Sequence, residues 1–145
     1  MESFLFTYTN LYRPYIHHIN AILEPYDLYA AQYKVLHDIA NNEPTTLVQV
    51  SKRSFIEKPT ARKIIKKLID LELVQAVNSK EDKREKFLTL TEKGQQQFNE
   101  IHESIVIFQN NCLQAVEADD AELEKAQKLL EKLRNHLIEE VTNNG

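Results

Sequence analysis

The stretch "KPTARKIIKKLIDLELVQAVNSKEDKREKFLTLTEKG", residues 58–94, decides how this chain is read. Its first half repeats apolar residues at helical spacing, with Ala61, Ile64, Ile65, Leu68 and Leu71 on one side. The opposite side carries Pro59, Arg62, Lys63 and Lys66, with Thr60 and Lys67 at its margin. Pro59 falls in the first turn, where a missing N–H does no harm. The second half changes period. "LVQAV" (73–77) and "KFLTLT" (86–91) read as two short strands, and the basic segment "NSKEDKRE" (78–85) joins them as a hairpin loop.

Working upstream, "LVQVSKR" (47–53) reads as a short helix capped by Thr46, and a brief connection through Phe55 separates it from the basic helix. That is the outline of a helix-turn-helix. Before it, "NNEPTT" (41–46) is turn chemistry. A helix "LYAAQYKVLHDIAN" (28–41) is expected from an Asp27 cap, with Tyr29, Tyr33, Leu36 and Ala40 on one face. Residues 4–23 also have helical spacing; Pro14 should kink or bound that helix, and Pro25 should end it. Downstream, Thr91 is placed to cap a long helix whose seam is Phe98, Ile101, Ile105, Phe108 and Cys112. Asp119 and Glu122 open a last helix with a stripe of Leu123, Ala126, Leu130, Leu133 and Leu137. The expected fold is mainly α: a winged helix-turn-helix, helices plus a small β-hairpin wing, flanked by helices at both ends.

Composition bounds the class. A chain of 145 residues fits one domain, or one domain with a helical extension, and is long enough to bury a core without staples. Its two glycines, Gly94 and Gly145, suit long helices with few tight turns. Cys112 is the lone cysteine, so no internal disulfide forms and a reducing, cytoplasmic compartment is expected. The N-terminus lacks a secretory pattern, no apolar run has the length of a membrane span, and no membrane partner is expected. The net charge of −4 hides an asymmetry: between Lys52 and Lys86, eleven basic residues oppose six acids, so this window carries +5 and the remainder −9. Such a basic centre fits a polyanion partner or, about equally on charge alone, a solvated face whose charges do nothing; the arrangement of the charges decides between them.

The arrangement of that charge matches double-stranded DNA. A helix seated on the domain by its apolar face can put its polar face in the major groove. Arg and Lys in its first turns reach base edges and phosphates, and Thr60 can meet a base edge or a thymine methyl. A basic hairpin tip beside it suits the minor groove, which attracts an inserted Arg. Asp82, two residues before Arg84, is spaced to hold that guanidinium by a charge-assisted hydrogen bond.

These residues resemble the MarR family of bacterial transcriptional regulators. The wing motif "VQAVNSKEDKREKFLTLTEKG" (74–94) is similar to the family's wing, with Asp82-x-Arg84 followed by Leu90, Thr91, Lys93 and Gly94. "IEKPTARKIIKKLIDLELV" (56–74) resembles its recognition helix. The resemblance implies a homodimeric repressor with dimerisation helices at 1–25 and 93–145 around a DNA-binding domain at 26–92. Two such domains would read a palindromic operator. It implies that Arg84 enters the minor groove, oriented by Asp82, and that Pro59, Thr60, Arg62 and Lys63 face the major groove. Lys66, Lys67 and Lys83 would touch phosphates. Two positions depart from the family's pattern. Gln75, Ala76 and Val77 stand where an Arg is frequent, and Glu72 stands where a Gly often precedes the first wing strand.

The family also implies a small aromatic or phenolic effector, for which Tyr12, Tyr15 and Tyr33 are the candidate lining, although tyrosines at helical spacing are more often core with a hydrogen-bonded tip. Cys112, inside an apolar stripe, reads as a buried structural cysteine. No cofactor and no metal site is expected. With no Gly-rich phosphate loop and no nucleophile–base pairing, neither is an enzyme. The competing reading is a winged-helix protein-interaction module, in which Asp82 and Arg84 form an exposed ion pair contributing ~0.2–1 kcal/mol.

Overall fold

The computed structural model describes residues 3–81 and 84–144, and the chain divides into two compact units, the first ending at Ile105 and the second starting at Val106. The elements in order are α1 (Phe4–Leu23), a 3-10 turn (Glu24–Tyr26), α2 (Ala30–Asn42), α3 (Leu47–Ser54), α4 (Lys58–Asp70), β1 (Val74–Asn78), β2 (Lys86–Leu90), α5 (Glu92–Ala115) and α6 (Asp120–Asn144).

Most helix starts follow side-chain capping. Ser3 Oγ accepts from the Phe6 N–H at 3.2 Å, Thr46 Oγ1 from Gln49 at 3.2 Å, Thr91 Oγ1 from Gly94 at 2.9 Å and Asp119 Oδ1 from Glu122 at 2.8 Å. The expected cap at Asp27 is overturned. Asp27 takes the left-handed conformation (φ 59°) that closes the 3-10 turn, and its carboxylate pairs with Lys67. α2 opens instead at Tyr29, which is exposed; the Tyr29 N–H donates to Gln32 Oε1 at 2.9 Å and the Ala30 N–H to Asn20 Oδ1 at 2.8 Å. Of the two prolines, Pro25 ends α1 as expected, and Pro14 does not bound it. α1 runs through Pro14 without a boundary, and Glu24 stays helical (φ −51°) before Pro25. Pro25 lacks the N–H that would continue the ladder, so the chain tightens into a 3-10 turn before it leaves the axis.

With glycine scarce, ordinary residues take the left-handed positions that stop helices: Asp27, Phe55 (φ 53°), Glu72 (φ 62°) and Glu117 (φ 55°). Glu72 therefore ends α4 earlier than its apolar periodicity does, and Leu71 becomes the cap.

In the first unit, α4 buries Ala61, Ile65 and Leu68 against α2 and α3, whose Val35, Leu36, Ile39 and Val50 are buried, while α1 contributes Ile19 and Leu23. β1 and β2 pair antiparallel from Val74↔Leu90 to Asn78↔Lys86. The turn segment 41–46 does more than turn: Thr45 bridges Leu88, making a third edge at the root of the wing. α5 adds Phe98, Ile101 and Ile105 to this core. Along the same seam Phe108 is half-buried, and Cys112 is exposed in the single chain, contrary to the buried cysteine expected. The reason lies in the second unit, whose helices leave much of their apolar surface open: Ile107, Val116, Leu130, Leu137 and Val141 are all exposed. Among the described residues no helix is long and apolar enough to cross a membrane.

Candidate nucleic-acid interface

α4 carries the polar face foreseen for it. Pro59, Thr60, Arg62, Lys63 and Lys66 are exposed, opposite the buried Ala61, Ile65 and Leu68. Glu57 precedes the helix in extended conformation and Pro59 lies in its first turn, so backbone N–H groups at its N-terminus point outward with the positive end of the helix dipole. The exposed face thus joins three cations to a helix start, a surface suited to anionic oxygens and base edges.

Lys67 and Arg53, both counted in the sequence, are paired with carboxylates of the same chain. Lys67, in the last turn, donates to Asp27 Oδ2 at 3.0 Å. Arg53 holds Asp38 with its fork, Nε to Oδ1 at 3.0 Å and Nη2 to Oδ2 at 2.9 Å. The partner carboxylates lie outside the basic stretch, so the window's excess charge is smaller at the surface than its sequence count.

The wing stands on buried Val74, Leu88 and Leu90. Its strands turn outward beyond that root: Gln75 to Asn78 are exposed, and Gln75 Nε2 donates across to Thr89 Oγ1 at 3.2 Å. The Ser79 N–H donates to the Glu85 carbonyl at 2.9 Å, closing the loop on which Arg84 is exposed. Asp82 and Lys83, assigned roles in the sequence reading, lie outside the described residues. The base of the hairpin is fastened to α5: Thr91 Oγ1 donates to the Glu72 carbonyl at 2.6 Å, and Lys93 Nζ to that of Leu71 at 3.1 Å.

The three candidate tyrosines have different surroundings. Tyr12 is exposed on α1, Tyr15 is half-buried, and Tyr33 is buried in a ring cluster between α2 and α5. There Tyr33 stacks on Phe98, Phe98 on His102, and His37 meets Phe98 and His102 at 5.8 Å. The Tyr33 hydroxyl lies 3.2 Å from His102 Nδ1. Burial, then the Tyr15 charge, pushes the Tyr33 phenol up to about 12. Burial, then the charge of His102, holds the His37 imidazole below its ordinary value against the opposing pull of Asp38. A separate cleft of about 330 Å³, between the end of α1 and the start of α2, is lined by His17, Asn20, Glu24, Asp27 and Tyr29 among others, and by none of the three candidate tyrosines.

Sequence reasoning missed the Asp38–Arg53 pair, the Thr45–Leu88 bridge and the His37–His102 contact. Each joins residues on different elements, and no spacing rule within one helix or strand announces it.

The family model for a winged helix DNA-binding domain matches residues 28–94. An HTH-type transcriptional regulator of Staphylococcus aureus is 38% identical over 146 residues, covering 98% of this chain and 97% of the relative. Among solved structures, the Staphylococcus aureus MarR protein in complex with salicylate and kanamycin is 36% identical, with a TM-score of 0.86 over 94% of this chain and 91% of that one. A mutant of Escherichia coli MarR in complex with operator DNA has the same fold at 22% identity, with a TM-score of 0.76 over 88% and 90% of the two chains.

Proposed function

The chain belongs to the MarR family of winged helix-turn-helix transcriptional regulators, and from that premise we propose that it acts as a homodimeric repressor that reads a palindromic operator and responds to a small aromatic or phenolic effector. The observation that carries the DNA-reading role is α4: one face buried in the domain, the other exposing Pro59, Thr60, Arg62, Lys63 and Lys66. In this reading Thr60, Arg62 and Lys63 meet base edges in the major groove, with Pro59 against the groove wall. Lys66 and Lys83 neutralise phosphates, and Lys67 joins them only by leaving Asp27. Arg84 enters the minor groove with Asp82 orienting it. The complex of Escherichia coli MarR with operator DNA supports this use of the fold.

Dimerisation is supported by apolar surface that a single chain leaves in water. Phe4, Leu5, Phe6, Tyr8, Leu11 and Tyr12 are exposed on α1, as are Leu129, Leu130, Leu137 and Val141 on α6. Residues 1–25 and 93–145 then serve dimerisation and 26–92 DNA reading. A C2 dimer sets two α4 helices about one helical turn apart, roughly 34–36 Å, to match two half-sites. An effector lowers affinity by favouring a dimer with a different separation. Salicylate in the Staphylococcus aureus relative supports a small aromatic acid, with Tyr12, Tyr15 and Tyr33 as the proposed lining. Of these, Tyr33 has its ring already packed on Phe98.

The test is fluorescence anisotropy with duplex DNA from upstream of the protein's own gene, titrated at several salt concentrations with wild type and Arg84→Ala. Tight binding that weakens steeply with salt and falls with Arg84→Ala is expected. A folded dimer that ignores duplex DNA at low salt would replace this function with a protein-interaction role.

A further inference from the structure

Arg53 is basic, lies within the helix-turn-helix, and is turned into the protein. Its Nε donates to Asp38 Oδ1 and Oδ2 at 3.0 and 3.2 Å, and its Nη2 donates to Asp38 Oδ2 at 2.9 Å and to Thr45 Oγ1 at 2.6 Å. Asp38 belongs to α2 and Arg53 to α3. Thr45 is wholly buried and belongs to the wing root: its N–H donates to the Leu88 carbonyl at 3.2 Å, and the Leu88 N–H donates back to the Thr45 carbonyl at 2.7 Å. The Thr45 hydroxyl donates in turn to Gln49 Oε1 at 2.9 Å, and that oxygen also accepts from the Thr46 N–H at 3.2 Å. One guanidinium therefore joins α2, α3 and, through Thr45, the middle of β2.

We propose that Arg53 is a positioning residue for DNA reading, which fixes the attitude of the wing to α4 so that Arg84 and the exposed face of α4 engage one duplex together. The inference rests on the DNA-reading function above. Its physical basis is leverage. Arg84 lies in the turn before β2, four residues from Leu88 and so at most about 13 Å of chain away. A tilt of about 10° at the root moves the tip by roughly 2 Å, more than a hydrogen bond tolerates. The planar fork is suited to the task, because it holds the carboxylate on one edge while a further N–H reaches the hydroxyl. A lysine ammonium has the charge without that geometry. The pair is partly exposed and so a weak source of stability, which makes a role in fixing one arrangement the more economical account of it.

The experiment combines binding with a readout that needs no DNA. Arg53→Lys, Arg84→Ala, Lys66→Ala and the doubles of Arg53→Lys with each are titrated on the same duplex at fixed salt. Arg53→Lys should weaken binding about tenfold. Its effect should largely vanish in the Arg84→Ala background, because it acts through the wing, and persist in full beside Lys66→Ala. Residue-resolved hydrogen exchange of the free protein should show the Thr45 and Leu88 amides exchanging faster in Arg53→Lys while the Ile65 amide in α4 is unchanged. Thr45→Val, which removes the hydroxyl between Arg53 and Gln49 and leaves the Arg53–Asp38 pair, should reproduce both results and serves if Arg53→Lys fails to fold. Full additivity with Arg84→Ala, or an exchange increase at Leu88 matched at Ile65, would overturn the proposal. A wild type that ignores DNA, with the selective exchange still present, would instead remove the DNA-reading function and leave Arg53 as a wing anchor.

Discussion

Gly94 lies directly against the backbone of Leu73: a methyl group on its Cα would stand 1.9 Å from the Leu73 carbonyl oxygen and 2.8 Å from the carbonyl carbon. The same carbonyl accepts the Thr91 N–H at 3.0 Å, so the first turn of α5 and the start of β1 are held too close for any side chain. Gly94→Ala is expected to destabilise the protein by about 2–3 kcal/mol, the cost of overpacking against atoms that have nowhere to move. Urea unfolding should show a lower midpoint with an unchanged slope. Wild-type stability in this variant would mean that α5 and β1 do not approach so closely.

Glu72 holds φ 62° at the end of α4, where a side chain strains the backbone and glycine does not. Glu72→Gly should therefore stabilise, by about 0.5–1 kcal/mol once the greater freedom of the unfolded glycine is set against the relieved strain. The Glu72 carbonyl that accepts from Thr91 is untouched by the change. A thermal scan suffices, and a lower Tm in the glycine variant would refute the prediction. The missing family glycine is visible in the sequence, but the left-handed conformation that gives it an energetic meaning is visible only in the structure.

Lys66 and Lys67 are neighbours in sequence with different surroundings. Lys66 is exposed, while Lys67 is paired with Asp27 at 3.0 Å. A lysine that neutralises a phosphate on binding releases counterions, so its loss lowers the slope of log affinity against log salt by about 1. Lys66→Ala should show that reduction. Lys67→Ala should change the slope less, because its ammonium already has a carboxylate partner. Equal slopes for the two variants would place both on the DNA.

The His37 imidazole is held below its ordinary value of 6.5 by burial and by His102. The unfolded chain therefore takes up this proton more readily than the folded one. Above pH 6.5 both forms are neutral and the group has no effect; as pH falls below 6.5 stability is lost until folded His37 also protonates. Urea midpoints should accordingly drop on acidification, and His37→Phe, which keeps a ring against Phe98, should flatten that drop. Tyr33 acts at the other end. With its phenol pushed up to about 12 from 10.0, its contribution is intact below pH 10 and declines as pH rises toward 12. An acid limb unchanged in His37→Phe would assign the effect to other groups.

The sequence by itself determined the elements and their order. The apolar stripe of Ala61, Ile65 and Leu68, the caps at Thr46, Thr91 and Asp119, and the paired runs at 74–78 and 86–90 follow rules that act within a few residues of chain. The exposed face of α4 was legible for the same reason, since one helix's period fixes which residues lie opposite its buried side. Tertiary structure decided what joins residues distant in sequence. Arg53 is directed to Asp38 and Thr45, Lys67 to Asp27, and Tyr33 to His102 only once three helices and a strand have packed. A charge count treats every cation as equal. Packing decides which carboxylate each one finds, because ion pairs and hydrogen bonds act over a few ångströms and those distances exist only in the folded chain.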